Sequence, residues 1–126
     1  MHPVRAEARE KAASTLLFAI RWRRAGEDAY AIAVEGELDL FRAPELKDVF
    51  LQRVAAGARS IVVDLSQTTF LDSTAAALLI ALPQLIGGRG EVAIACEAPH
   101  VLRTLHVTGV DRRMAIVPPP PAPIAP

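Results

Sequence analysis

Asp72, Ser73 and Thr74 are adjacent where the short stretch Phe70-Leu71 gives way to a long run of small and aliphatic residues. If a helix starts at this triplet, its first backbone N–H groups have no intrahelical partners and its dipole favours negative charge. A phosphate placed on either hydroxyl is stabilised where it forms, so modification changes the surface charge without requiring the domain to unfold. The simpler role for Asp72 or Ser73 is that of a helix cap, worth about 1 kcal/mol. Nucleophilic catalysis at Ser73 needs a positioned base. His100 and His106 fall on one predicted helix and in no catalytic pattern, so an enzyme is not expected.

Periodicity predicts the elements that hold this triplet. Leu16, Phe18, Ile20 and Trp22 alternate, which predicts a strand over 15–22 with those side chains on a core. Tyr30, Ile32 and Val34 repeat the alternation after a polar turn at 23–28, so the two strands read as a hairpin. Pro44 and Glu45 open an amphipathic helix carrying Leu46, Val49, Phe50 and Val54, which ends near Gly57. The run 60–65 is centred on Ile61-Val62-Val63 and predicts a central strand covered on both faces.

A polar connection follows, and then a helix over 75–86 that Gly87-Gly88 stops and that Pro83 is expected to kink or shorten. Its apolar character nearly all round implies tight packing by neighbouring elements or cover by a partner. Strand 91–96, helix 99–107 closed by Gly109, and strand 114–117 complete the pattern. The strand–helix alternation implies parallel crossovers and an α/β fold with helices against a sheet.

Several chemistries are not expected. Fourteen basic residues balance fourteen acidic ones, so no basic field favours direct nucleic-acid binding. No apolar run approaches the roughly 20 residues of a membrane span, so no membrane insertion is expected. The single cysteine, Cys96, reads as a buried core thiol and suits a reducing, cytoplasmic setting. The two helical histidines lack partners at metal-ligand spacing, and Gly87-Gly88-Arg89-Gly90 lacks the Lys-Ser/Thr of a phosphate loop, so neither metal nor cofactor is expected. Residues 1–13 read as a tail with no signal-peptide core, and 118–126, with six of the ten prolines, as an extended solvated tail.

Four segments taken in order carry a resemblance: Gly36-Glu37-Leu38-Asp39-Leu40, Ala43-Pro44-Glu45-Leu46, Val62-Val63-Asp64-Leu65-Ser66 and Phe70-Leu71-Asp72-Ser73-Thr74. Together they resemble the STAS domains of bacterial anti-sigma factor antagonists, from about Thr15 to Val117 and including Leu102, Leu105 and Thr108-Gly109-Val110-Asp111. The resemblance implies a mixed sheet of about five strands with helices packed against it, in one domain over 14–117. It further implies that the partner is an anti-sigma factor which is also a serine/threonine kinase. That kinase phosphorylates a hydroxyl at the helix start, and the modified antagonist lets go; a phosphatase is a further candidate partner.

The family pattern, Asp-Ser-Ser/Thr-Gly, places the acceptor at Thr74, with Ser73 second, and implies that Asp39 lies near it. The docking surface is expected to include Asp39, Asp72, Ser73, Thr74, Ala75 and Leu78. The sequence departs from the pattern at Ala75, where glycine is usual, at Ala76-Ala77 and at Pro83. A methyl at 75 is expected to narrow the approach of a kinase backbone. These departures and the apolar helix motivate a second expectation, an unphosphorylated STAS subunit of a larger assembly such as a lipid-transport complex or signalling scaffold.

Overall fold

The computed structural model describes residues 18–119 except Arg89. The two tails, the start of the first predicted strand at 15–17 and the Arg89 position of the glycine turn lie outside the described residues. Phe18–Gly26 (β1) and Ala29–Leu38 (β2) form the expected antiparallel hairpin. The strand continues past the predicted turn, because Arg23 and Arg24 pair with Ala31 and Tyr30 and leave only Glu27 and Asp28 to reverse the chain. Asp28 adopts φ 56°, a left-handed conformation that a short polar turn residue tolerates. On β1, Phe18 is buried, whereas Trp22 is 46% exposed. The alternation therefore marks one face correctly, but that face runs out beyond the edge of the core.

Ala43–Ala55 (α1) begins with Pro44 in its first turn and buries Ala43, Leu46 and Phe50. Ser60–Asp64 (β3) pairs parallel with β2 on one side and with Glu91–Ala95 (β5) on the other, so it is central as expected. It is not covered on both faces: Ile61 and Val63 are buried, whereas Ser60, Val62 and Asp64 on the opposite face are only half-buried. Thr68–Leu71 (β4) is a strand where the sequence predicts a polar connection, and it raises the count from about five strands to six. It runs alongside the end of β2 beyond the part paired with β3, at a register shift next to Gly36. Gly36 has φ 98°, which a residue with a Cβ rarely adopts, so a glycine is needed at this break.

Ser73–Ile86 (α2) runs through Pro83 without being shortened, and Gly87 at φ 93° ends it. Pro99–Thr108 (α3) closes on Gly109 in the left-handed conformation, and Ala115–Val117 (β6) pairs parallel with β5. The sheet order is β1-β2-β3-β5-β6, with β4 beside β2, and all pairings except β1–β2 are parallel.

The buried faces of the three helices join Tyr30, Ile32, Val34, Ile61, Val63, Val92 and Ile94 in a single core. That side of the sheet is strongly apolar because alternate strand residues all point there. Helix α2 accounts for its apolar sequence in part: Ala75, Ala76, Leu79 and Leu82 are buried, while Ala77 is exposed. No helix of the described residues is long and apolar enough to cross a membrane.

Candidate functional site

β2 and β4 run parallel and end side by side, with Glu37 opposite Phe70 and Leu38 opposite Leu71. The next residue on each strand is an aspartate, so Asp39 and Asp72 emerge together at the carboxyl ends of the strands, where open parallel sheets place their ligand sites. The backbone N–H of Asp72 donates to the Leu38 carbonyl at 3.3 Å, which continues the ladder by one more bond. Asp39 then turns the chain into α1. Its Oδ1 accepts from the backbone N–H groups of Phe41 and Arg42, both at 3.0 Å.

Asp72 holds two elements with one carboxylate. Its Oδ1 accepts from the Ala75 N–H at 2.8 Å, an N-cap bond, and its Oδ2 accepts from the Leu40 N–H at 3.0 Å. The loop after β2 is thereby fastened to the first turn of α2. Ser73 and Thr74 occupy the first two helical positions and both are exposed. Among the described residues neither hydroxyl has an internal hydrogen-bond partner. The cap is Asp72, so Ser73 is not needed for that purpose and both hydroxyls stay available.

Ala75 does not belong to this surface. It has no accessible area and sits in the core. Positions 75, 76, 79 and 82 share the helix face that meets the sheet, so the methyl that the sequence places against a partner points inward. Leu78 is half-buried and packs against the core edge.

Three residues that the sequence reading left out complete the site. Leu40, Phe41 and Phe70 are 52%, 77% and 49% exposed. Leu40 and Phe41 lie in the loop tied to Asp72, and Phe70 immediately precedes Leu71-Asp72. All three expose apolar surface on the loop and the strand that adjoin Asp72. A signal was present: two bulky apolar residues directly after Asp39, in a segment that reads as a turn, have no use in a solvated loop.

Other groups resolve differently. The imidazole Nε2 of His100 lies 2.9 Å from the Thr69 carbonyl oxygen and joins α3 to β4, and Nδ1 of His106 lies 2.8 Å from Oδ2 of Asp111 on the surface. Among the described residues no cluster of three or more His, Cys, Asp or Glu side chains could hold a metal. Cys96 is buried as expected, and burial pushes its thiol up from its ordinary value, with the nearby carboxylates of Asp64 and Glu97 adding to the shift.

This arrangement can be set beside known proteins. The family model described as MlaB, STAS domain, matches residues 22–118. The chain belongs to the STAS domain family. The anti-sigma-B factor antagonist of Staphylococcus aureus is 31% identical to this STAS domain over 88 residues, covering 69% of the chain and 82% of that protein. A STAS-domain containing protein of Pseudomonas aeruginosa is 30% identical over 86 residues, covering 68% of the chain and 84% of that protein.

Among solved structures, an anti-sigma factor antagonist from Mycobacterium paratuberculosis superimposes with a TM-score of 0.73 at 26% identity, covering 80% of this chain and 86% of that one. The anti-sigma factor antagonist SpoIIAA in its unphosphorylated form shares the fold, with a TM-score of 0.64 at 16% identity over 79% of this chain and 88% of that one. The mixed sheet with three helices on one side is thus the STAS fold.

Proposed function

We propose that this STAS domain is an anti-sigma factor antagonist that docks on an anti-sigma factor through the carboxyl end of β2 and β4 and is released by phosphorylation of Thr74. The observation that carries the reading is the exposed hydroxyl pair at the start of α2, which has no internal hydrogen-bond partner among the described residues and follows the exposed Phe70 by two residues. The relatives named as antagonists support the choice of partner class. A surface of this composition suits protein association, in which exposed apolar residues supply the buried contact and polar groups set orientation.

The switch follows from electrostatics. A phosphate on Thr74 brings a charge of about −1.5 to −2 beside Asp72 and near Asp39. The helix dipole and the free N–H groups of the first turn tolerate that charge in the free domain. On docking it must lose water next to two carboxylates, and a penalty of a few kcal/mol lowers affinity more than tenfold. The antagonist lets go without refolding, and the anti-sigma factor is again free to hold its sigma factor. A phosphatase that removes the group restores docking.

The test uses the serine/threonine kinase-type anti-sigma factors of the source organism. Each is incubated with ATP and the domain, and the phosphate is mapped by mass spectrometry. Thr74 is expected to carry it, Thr74→Ala to abolish it, Ser73→Ala to leave most of it, and Thr74→Glu to weaken binding at least tenfold. Absence of binding to any of these kinases, with or without nucleotide, overturns the reading. A second reading is favoured by the description of the matched family model, which names MlaB and not an antagonist. Here the same surface joins a larger assembly permanently, and Thr74→Glu leaves the association with its partner unchanged.

A further inference from the structure

β1 is an edge of the sheet, and it is a long one. It spans nine residues, whereas β6, the strand at the far end of the β1-to-β6 order, spans three. Its outer backbone N–H and C=O groups have no strand partner among the described residues, which makes β1 a template for an added strand. Proteins blunt such edges by keeping them short, as β6 is, or by placing charge on them, as β1 does with three arginines and no acid in the sequence Phe-Ala-Ile-Arg-Trp-Arg-Arg-Ala-Gly. Charge of one sign repels a basic strand but suits an acidic one. Only Arg21 has an acidic partner among the described residues, Glu35 at 3.3 Å.

The side chains along this edge have the composition of a binding surface. Trp22 is 46% exposed, and its ring stacks under the guanidinium of Arg53, whose Cζ lies 3.6 Å from the ring centroid. Tyr30 meets Trp22 edge-on with centroids 5.9 Å apart, and Arg24 lies over Tyr30 at 5.8 Å. Tyr30 is buried beneath them, and the exposed Trp22 and the arginines are of the types enriched at interface hot spots. Arg53 forms no ion pair among the described residues, and its buried Nε has no acceptor there. A second copy of the chain is a poor occupant. In an antiparallel β1–β1 pair centred on Trp22, Arg21 of each copy faces Arg23 of the other, and like charges directly opposite are unfavourable.

We infer that the β1 edge, with Arg21, Trp22, Arg23 and Arg53, is a second docking surface, which takes an extended acidic segment of another protein as an added strand. Main-chain bonds to β1 supply the affinity. Carboxylates opposite Arg21 and Arg23 on one face of the added strand, and an apolar side chain against Trp22 on the other, supply the selectivity. The surface is separate from the α2 start, so its occupancy does not depend on the state of Thr74.

Trp22 is the single tryptophan of the chain, so its emission reports on this edge directly. The probe is an eight-residue peptide of alternating glutamate and valine, titrated into the full chain at low ionic strength. A saturable blue shift is expected, with affinity lowered about tenfold or more in the Arg21→Glu/Arg23→Glu double variant, whose two side chains share the face that meets the glutamates. A fully N-methylated version of the peptide, which cannot donate to the edge, is expected to bind at least tenfold more weakly. Circular dichroism of the double variant establishes that it is folded. No shift, equal binding of an alternating lysine and valine peptide, or equal binding of the N-methylated peptide overturns the inference. Thr74→Glu is expected to leave the titration unchanged, so a failure here and a failure of the antagonist reading are told apart.

Discussion

Ala75 follows the hydroxyl pair directly, yet its methyl lies wholly within the core while Ser73 and Thr74 stand in solvent. One step along a helix turns a side chain by about 100°, enough to pass from a partner to the sheet. An alanine in place of the family's usual glycine is therefore a matter of packing here. Ala75→Gly is expected to lower stability by about 1–2 kcal/mol, from helix propensity and the lost methyl burial, in urea denaturation. Unchanged or increased stability would show that the methyl is not packed as described. Cys96 is a second residue whose setting decides its chemistry. Its folded thiol titrates above its unfolded value, so the folded state holds that proton more tightly. Stability is then full below the ordinary thiol range and declines as pH rises through it. Cys96→Ala is expected to flatten that alkaline decline, and a disulfide reagent is expected to label Cys96 slowly in the native chain and quickly in urea. Rapid native labelling would contradict its burial.

Elements with a regular pattern were legible in the sequence, and the one without a pattern was not. The alternation of Tyr30, Ile32 and Val34 and the helical spacing of Leu46 and Phe50 each reflect one buried face, so periodicity finds them. β4 escapes because its four residues are buried, exposed, exposed and buried, which is neither alternation nor a continuous run. It exists through a contact remote in sequence. The Thr68 hydroxyl, on a buried residue, donates to the Val34 carbonyl at 2.7 Å and fixes β4 against β2. Thr68→Val keeps the shape and leaves that carbonyl without the hydroxyl, so a loss of about 1–3 kcal/mol is expected in chemical denaturation. Increased hydrogen exchange at Phe70 and Leu71 is expected with it. A loss of stability spread evenly over the chain, with no local gain in exchange, would place the role of Thr68 elsewhere.

At the scale of the whole molecule, the fold gathers at one end groups that are far apart in the sequence. The order of strands and helices and the hydroxyl pair at a helix start could be read from the chain, because they rest on local patterns. The placing of Leu40 beside Asp72 and of Phe70 opposite Glu37 could not, because it needs β4 beside β2 and the bond from Leu40 to Asp72, 32 residues away. This placement also bears on how the proposed switch acts. The formal charge of the chain at pH 7 is zero, so a phosphate on Thr74 takes the whole molecule to about −1.5 to −2. Phosphorylated and unmodified chains are expected to separate cleanly on an anion exchanger near neutral pH. Their unfolding free energies are expected to agree within about 0.5 kcal/mol, the usual range for a change on the surface. The two measurements together separate mechanisms: if the modified chain unfolded at markedly lower denaturant, release would proceed through loosening of α2. Equal stability with altered charge requires the partner to be refused at the surface, by like charges that docking would have to strip of water.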